Sequence, residues 1–296
     1  MKKMFKIGLK DEGKRLDKFL SQKMKFLSRT RIKELIKERF ILVNEERKEP
    51  SYALKVEDTI KVEIPSQKKH LASFFYPVEI IYEDEEVIVV NKPQGLVVHP
   101  PRSDYSSTLV GALLTLKKRL SGINPLRRGV VHRLDKETSG VMVLAKTNFS
   151  HLNLVKQFQE RKVKKEYRAI VWGAFGERMK IDLPIKRDEK VPLKMKVGFF
   201  KAKEALTQIN VLKKGKNFSY LSIQLITGRT HQIRVHLSFL GYPVVGDKKY
   251  GAKGDNYKRL LLHSYSLGFY HPSTGKFLEF TCNLPEYFSK FLRENV

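Results

Sequence analysis

A central segment of this 296-residue chain is residues 129–140, which read Gly129-Val130-Val131-His132-Arg133-Leu134-Asp135-Lys136-Glu137-Thr138-Ser139-Gly140. One carboxylate, Asp135, stands among cations, and the apolar run 141–145 follows the second glycine. That run has the length and composition of a buried strand. We therefore expect Asp135 on the loop that leads into a core strand, where a rigid scaffold can present a reactive group. The alternative interpretation is an ion pair with Arg133 or Lys136 that only stabilises the loop.

The charge of the chain predicts a polyanionic partner. It contains 58 Lys and Arg against 31 Asp and Glu, a formal net charge of +27. Such an excess attracts nucleic acid over distances longer than direct contact. No apolar run approaches the roughly 18 residues of a membrane-spanning helix, and the Lys-rich start lacks the apolar stretch of a signal peptide. We therefore expect a cytoplasmic protein that binds nucleic acid.

Neither a metal nor an organic cofactor is predicted. Cys282 is the single cysteine, which rules out an internal disulfide and a Cys-based zinc site, and it is expected in the core. His231 and His236 are five residues apart and so do not share a helix face as the ligands of a zinc site would. No glycine-rich loop has the spacing of a dinucleotide or phosphate fingerprint.

The chain is long enough for a catalytic core and a small accessory domain. Apolar residues at helical spacing predict helices at 16–20 and 32–36, the second capped by Ser28, and residues 41–43 and 60–64 predict strands. A polar, proline-started segment follows. We accordingly divide the chain into an N-terminal domain at 1–65, a linker at 66–78 and a catalytic domain at 79–296.

The second predicted helix has a cationic solvent face that suits phosphates, formed by Arg29, Arg31, Lys33 and Lys37. A merely solvated face would look the same. Residues 14 to 64 resemble the S4 RNA-binding domain. The motifs that carry this resemblance are Arg15-Leu16-Asp17-Lys18-Phe19-Leu20 and Ser28-Arg29-Thr30-Arg31-Ile32-Lys33-Glu34-Leu35-Ile36, and the stretch ends in Phe40-Ile41-Leu42-Val43-Asn44.

The larger domain is predicted to be α+β. Residues 87–90 form a short apolar run, residues 109–116 and 149–159 are expected to be helical, and the alternation around Tyr167 and again at 221–225 indicates strands. No internal repeat breaks this order.

Three further features of this domain suit an RNA site. Arg229 falls where a predicted strand passes into a helix, a position that suits either a phosphate or the Asp135 carboxylate. Lys164 and Lys165 precede Tyr167, and cations beside an aromatic suit a base stacked next to its backbone, although ordinary sheet packing also explains the tyrosine. A cationic stretch around Gly198 suggests an RNA-facing strand pair or solvated surface; its lysines are Lys194, Lys196, Lys201 and Lys203.

Several sequence motifs, in their order along the chain, resemble those of the RluA-type family of pseudouridine synthases. They are Asn91-Lys92-Pro93-Gln94-Gly95-Leu96-Val97-Val98-His99-Pro100, His132 to Gly140, Gly228-Arg229-Thr230-His231-Gln232-Ile233-Arg234, Gly246-Asp247-Lys248-Lys249-Tyr250-Gly251, Leu262-His263 and His271-Pro272. The resemblance covers most of residues 79 to 285. It implies a catalytic domain with a mixed, mainly antiparallel sheet flanked by helices, and isomerisation of uridine in RNA without cofactor or metal.

The resemblance also assigns roles to residues. It makes Asp135 the catalytic carboxylate, acting on C1′ as nucleophile or on the 2′ side as base. Tyr167 matches the tyrosine that stacks on the uracil, Arg229 the basic residue that pairs with the aspartate, and Arg133 the arginine that enters the RNA stack when the base is flipped.

The S4-like domain favours large-subunit ribosomal RNA as substrate, with transfer RNA as the alternative, and a monomer, since RNA supplies a large interface. A non-catalytic S4-type RNA-binding protein is the second alternative, although it leaves the site residues unexplained. A glycosidase using Asp135 and Glu137 would need carboxylates about 5 to 9.5 Å apart across a sugar, in a cleft less rich in lysine.

Overall fold

The structure, a computed structural model, describes residues 2–24, 27, 29–63, 74–99, 107–125 and 127–295. The chain forms two compact units, residues 1–70 and 71–296, called the first and second unit below. The expected helix cap Ser28 and residues 64–73, which include the expected domain boundary and most of the expected linker, lie outside the described residues.

The first unit is a small α/β structure. Its elements are β1 (Lys2–Lys6), a 3₁₀ turn (Leu9–Asp11), α1 (Leu16–Lys23), α2 (Arg29–Lys37), β2 (Ile41–Val43) and β3 (Thr59–Glu63). The strands form an antiparallel sheet in the order β1-β3-β2. Leu16, Leu20, Ile32 and Leu35 are buried against this sheet as one core, which confirms the two predicted helices.

The second unit is α+β. Its elements are β4 (Glu79–Glu83), β5 (Val87–Lys92), α3 (Leu109–Thr115), β6 (Ser139–Ala145), α4 (Asn148–Gln159), β7 (Lys164–Trp172), β8 (Arg178–Asp182), β9 (Ile185–Arg187), β10 (Met195–Val197), β11 (Leu206–Lys214), β12 (Phe218–Leu225), α5 (Gln232–Phe239), β13 (Leu262–Tyr270), β14 (Phe277–Thr281) and α6 (Glu286–Glu294).

A mixed sheet organises these elements. Over the described residues it has nine strands in the order β4-β5-β6-β13-β7-β12-β11-β8, with β14 paired to β13. The pairing of β6 with β13 is parallel and the other pairings are antiparallel. A separate hairpin is formed by β9 and β10. The predicted mixed, mainly antiparallel sheet with flanking helices is confirmed.

Strand β6 lies at the centre of the core because both of its faces are covered. Met142 and Leu144 pack into the core that includes α3 and α5, whereas Val141 and Val143 pack into the core that includes α4. Successive strand residues point to opposite faces, so a strand covered on both faces is an uninterrupted apolar run. This accounts for the composition of residues 141–145.

The two glycines around the central segment are fixed by backbone geometry. Gly140 has φ +118°, and a Cβ there would overlap the carbonyl oxygen of Ser264 on β13. Gly129 has φ +66°, and a Cβ there would lie 2.6 Å from the carbonyl oxygen of Ala145. Only glycine combines such dihedrals with this approach. The segment is therefore anchored to the sheet at both ends.

The expected linker is too long at its C-terminal end. Phe74 and Tyr76 pack against the core of the second unit with ring centroids 5.8 Å apart, and Val78 is buried. Apolar side chains that bury surface hold this stretch to the second unit, so residues 74–78 belong to that unit. Within the described residues, none of the helices is both long enough and apolar enough to cross a membrane.

Candidate active site

The loop that carries Asp135 runs directly into β6, as predicted. On one side it is held by His132, whose Nε2 accepts a hydrogen bond from the Val143 amide at 3.1 Å and whose ring stacks on Phe158 with centroids 4.6 Å apart. A nitrogen that accepts is unprotonated, and burial lowers the pKa of His132 to about 3. His132 is thus a neutral structural support for the loop.

A buried lysine, Lys92, holds the other side of the loop. Its Nζ donates to three backbone carbonyls, including that of Lys136 at 3.2 Å. Gln94 Nε2 adds a bond of 2.8 Å to the carbonyl of Glu137. Burial lowers the pKa of Lys92 to about 7, against the opposing influence of the carboxylates of Asp135 and Glu137. Residues 92–96 therefore form a bracket that fixes the two residues after Asp135.

Asp135 is paired with Arg234. Nη1 of Arg234 lies 3.3 Å from Oδ2 of Asp135, and the Asp135 side chain is 17% exposed. The same guanidinium makes two bonds to the buried Asp247, of 2.7 and 2.8 Å. Burial raises the pKa of Asp247, but Arg234 and two backbone amides outweigh it, so the pKa is lowered. Asp247 thus orients the Arg234 guanidinium through Nε and Nη2, so that Nη1 faces Asp135.

The predicted ion pair between Arg229 and Asp135 is wrong, because the arginine that contacts Asp135 is Arg234. Nε of Arg229 donates to the carbonyl of Glu204 at 2.8 Å, and its backbone N–H to Oε1 of Gln232 at 2.9 Å. The left-handed residue His231 (φ 56°) turns the chain into α5 just after Arg229, so that Arg234, inside the helix, faces Asp135. Arg229 still lines the same site.

Sequence reasoning missed Arg234, although a signal was present. Arg234 stands between Ile233 and Val235 in an apolar helix, and an arginine buried there requires a carboxylate partner. It also missed His231, whose Nε2 is 3.8 Å from Asp135 Oδ2 and whose Nδ1 is 2.8 Å from the Tyr250 hydroxyl. Burial lowers the pKa of His231, partly offset by Asp135.

Tyr167 and Asp135 line one small recess of about 110 Å³. Tyr167 is nearly buried on β7, between Ile223 of β12 and Ser264 of β13. Burial raises the pKa of Tyr167 to about 12, a hydrogen bond with Ser264 lowers it, and Asp135 raises it. The recess walls combine apolar side chains, among them Leu225, Ile233 and Leu262, with polar and cationic ones such as Arg229 and Arg234. The apolar side chains beside one carboxylate and one neutral phenol suit a flat, uncharged ring, and the arginines of the same recess suit an anionic group attached to that ring.

The recess adjoins a larger cleft of about 1170 Å³ that also includes Asp135. Its walls carry many cations, among them Arg133, Lys186, Lys194, Lys201, Lys203, Arg229, Lys248, Lys249 and Lys258. The exposed Arg133 lies two residues before Asp135 on the same loop. This arrangement suits a polyanion that delivers one ring to the recess.

The predicted cations Lys164 and Lys165 lie on opposite faces of β7, because side chains alternate along a strand. Lys164 bonds to Glu279 at 3.0 Å, on the face away from Tyr167, and the structure does not bring it to the cleft. Lys165 shares the face of Tyr167. Burial, with the cations Arg161 and Arg229, lowers its pKa to about 8.

In the first unit the predicted basic face of α2 divides in two. Arg29 and Lys33 are one turn apart, and Lys37 follows one turn later and is exposed. Arg29 is oriented by the buried Asp17, to which Nη2 donates at 2.9 Å, and Lys33 Nζ is 3.9 Å from the same carboxylate. The fourth predicted cation, Arg31, is compensated by Glu34 at 2.9 Å and Glu38 at 3.5 Å.

Cys282 is a core residue, as predicted. Burial raises its pKa to about 12, and its Sγ lies 3.2 Å from Nε2 of the buried His263. In the described part of the chain, no group of three or more His, Cys, Asp or Glu side chains is placed to hold a metal ion.

Comparison with known proteins matches both units to families. A family model described as "RNA pseudouridylate synthase" matches residues 86–239, and one described as "S4 domain" matches residues 14–60. An "Uncharacterized RNA pseudouridine synthase" of Aquifex aeolicus (strain VF5) is 44% identical over 295 residues, which cover 94% of this chain and 92% of that protein. "Ribosomal large subunit pseudouridine synthase D" of Neisseria meningitidis serogroup A is 41% identical over 294 residues, covering 95% of this chain and 78% of that protein.

Solved structures of human proteins share the fold. "Human RNA Pseudouridylate Synthase Domain Containing 4" is 30% identical with a TM-score of 0.59, and covers 73% of this chain and 92% of its own. "Human RNA Pseudouridylate Synthase Domain Containing 1" is 28% identical with a TM-score of 0.60, and covers 70% of this chain and 83% of its own.

Proposed function

Because the chain belongs to the RNA pseudouridylate synthase family, we propose that it isomerises specific uridines to pseudouridine in large-subunit ribosomal RNA, with Asp135 as the catalytic carboxylate. The observation that carries this proposal is the position of Asp135. It is held by Arg234 at a recess that also contains Tyr167, within a cationic cleft.

The reaction rearranges one nucleotide without adding or removing atoms. The bond from C1′ to N1 breaks, the uracil turns, and a bond from C1′ to C5 forms; C5 loses a proton and N1 gains one. Asp135 acts either as nucleophile at C1′ or as base on the 2′ side, and both routes need an ionised carboxylate. The guanidinium of Arg234, 3.3 Å from Asp135, pairs with this carboxylate and orients it.

The neighbouring residues prepare the uridine. A base within a helix cannot reach the recess, so it is flipped out at a cost of a few kcal/mol, and Arg133 fills the vacated position in the stack. Tyr167 packs against the uracil. Because its pKa is raised to about 12, Tyr167 is protonated at neutral pH and serves as a proton relay rather than as a free phenolate. Arg229 contacts the RNA backbone from the cleft wall.

The substrate assignment has two supports. The Neisseria relative is described as a large-subunit ribosomal synthase, and the first unit carries the cationic row Arg29, Lys33 and Lys37 on an S4 domain. With Lys165 these cations bind RNA phosphates, and Arg31 and Lys164 contribute less because carboxylates compensate them. The proposal also includes a monomeric enzyme that works in the cytoplasm, where its ribosomal RNA substrate lies.

Tritium release tests the proposal. Large-subunit ribosomal RNA transcribed with 5-tritiated uridine is incubated with the parent protein, Asp135→Asn, and the matched control Asp182→Asn, whose carboxyl is exposed on β8. We expect release by the parent and the control and none by Asp135→Asn. Near-normal release by Asp135→Asn would refute the catalytic assignment.

Other outcomes identify the alternatives. Release from transfer RNA alone would move the substrate to that class. Liberation of free uracil would indicate a hydrolase. If the parent binds both RNAs but releases tritium from neither, it is a non-catalytic RNA-binding protein.

A further inference from the structure

One wall of the cleft is an arm, residues 185–203, formed by β9, β10 and the turn that follows β10. The base of the arm is fixed. Ile185 is buried in an apolar cluster with Tyr250, whose hydroxyl accepts a hydrogen bond from the Met195 amide at 2.8 Å. Ile185 also exchanges two backbone hydrogen bonds of 2.9 Å with Lys203, which close the turn 198–202. The arm is thus held in place by the same unit that carries the active site.

The turn presents two aromatic rings to solvent. Phe199 is 78% exposed and Phe200 is 73% exposed. Adjacent large aromatic side chains with such exposure contribute little to a core, and an exposed apolar patch is typical of an interaction site. The folding of the arm therefore does not explain them.

Two lysines, Lys201 and Lys203, follow the aromatic pair in the sequence. Lys201 lines the cleft, and its Nζ is 5.1 Å from the centroid of the Phe200 ring. Elsewhere on the arm, Asp188 and Glu189 form ion pairs with Lys186 and Lys196, and Lys201 and Lys203 take part in none of these pairs. Aromatic faces beside uncompensated cations are the two components with which proteins hold single-stranded nucleic acid.

We infer that the Phe199–Phe200 turn is a stacking platform for unpaired bases of the RNA bound in the cleft, with Lys201 and Lys203 at the neighbouring phosphates. The identity of the polyanion rests on the proposed function. The excess of lysine on the arm favours RNA over a protein surface or a second copy of the chain, which would cover the rings equally well but would not need the cations. The platform positions the strand on which the target uridine lies.

Binding of the large-subunit ribosomal RNA transcript tests this inference. Dissociation constants are measured in the Asp135→Asn background, so that no turnover occurs, for the double variant Phe199→Ala/Phe200→Ala and for the matched control Phe149→Ala, a 57% exposed phenylalanine on α4. We expect the double variant to weaken binding by roughly tenfold or more and the control to change it by less than about twofold. Because no cation is removed, the RNA affinity of the double variant should depend on salt concentration in the same way as that of the parent.

Two further variants separate stacking from other roles. Phe199→Tyr/Phe200→Tyr keeps both rings and should bind the RNA with nearly the affinity of the parent. Lys201→Gln/Lys203→Gln should instead lower the salt slope by roughly 0.7 for each phosphate that is no longer neutralised. Since the chain has a single tryptophan, Trp172, Phe200→Trp adds one reporter whose emission should be quenched by RNA but not by inorganic phosphate.

The inference and the proposed function fail in different ways. Unchanged RNA affinity of the folded double variant would overturn the platform even if the parent releases tritium. Self-association of the parent that disappears in the double variant, with RNA affinity unchanged, would assign the turn to a second copy. A silent parent whose RNA affinity still depends on Phe199 and Phe200 would refute the synthase proposal and leave the platform standing.

Discussion

Replacement of Arg234 by methionine is expected to affect both the stability and the chemistry of the second unit. The side chain makes two bonds to the buried Asp247 and one contact to Asp135. Removing one partner of a buried ion pair leaves a charge without compensation and costs about 3–5 kcal/mol. For a unit of this size each kcal/mol lowers the melting temperature by about 2–4 °C, so we expect a fall of roughly 6–20 °C.

The pH dependence of unfolding shows whether the loss of the Arg234–Asp247 pair causes the loss of stability. In the parent the pKa of Asp247 is lowered, so the stability it contributes is present at neutral pH and is lost as the pH falls through that pKa. In Arg234→Met, burial without a cation raises the same pKa, and the variant gains stability as Asp247 becomes protonated. The gain in the variant narrows the difference between the two free energies of unfolding as the pH falls from 7 toward 4, and the loss in the parent narrows it further below the ordinary carboxyl pKa of 3.8.

The assay is urea unfolding at several pH values together with single-turnover tritium release. Arg178→Met, which removes an exposed arginine from β8, is the matched control for charge. Arg234→Met should also release tritium roughly 100-fold more slowly, because a shift of about 1 Å in a reacting group has this effect. Adding Asp247→Asn to Arg234→Met should restore the stability of the variant but not its rate. If Arg234→Met were as stable as Arg178→Met, and its difference in stability from the parent did not change with pH, the argument for the buried ion pair would be refuted.

Three other residues give further predictions. Tyr167→Phe keeps the stacking ring but removes the relay, so RNA affinity should change little while tritium release slows by roughly 10²-fold or more; parental rates would show that the ring alone suffices. Lys92→Met should destabilise the second unit, and because the pKa of Lys92 is lowered to about 7, the stability of the parent relative to the variant should rise between pH 7 and 9, by at most about 1.4 kcal/mol per pH unit in urea unfolding; a constant difference would contradict this. Lys165, with a pKa of about 8, should make RNA affinity fall above pH 8 by up to about tenfold per unit, and Lys165→Met should abolish that fall in binding titrations; a fall that persists in the variant would assign it to another group.

Periodicity predicted elements that bury a continuous face. The helices near residues 16 and 32 and the strand at 141–145 all have apolar residues at the spacing of their structure, and all are present. The strand β1 could not be predicted in this way. Its sequence, Lys2 to Lys6, is largely exposed and alternates no apolar residues, and it forms because its backbone pairs with β3. Pairing between distant backbones leaves no local pattern.

The same limit applies to the site. Asp135 could be selected as a candidate because its motif is distinctive, and its position on a loop followed from the strand after it. Tyr167 was a candidate through the family resemblance, since ordinary sheet packing also explains it. The choice between Arg229 and Arg234 depended on where the chain turns into α5, which a single left-handed residue, His231, decides. The contact between Lys92 and the backbone carbonyl of Lys136 could not be predicted from the sequence either, since it joins residues 44 positions apart.

The distribution of charge separates the stable scaffold from the surfaces that are proposed to bind RNA. The cations that fix the active site are compensated within the protein: Arg234 by Asp247, and Lys92 by backbone carbonyls. The excess of cations lies instead on surfaces such as the cleft wall and α2, where Lys201 and Lys37 are examples. A net charge of +27 destabilises a compact fold through self-repulsion, and a polyanion relieves it. RNA therefore supplies the countercharge that the sequence lacks, so binding and stability should respond together to salt.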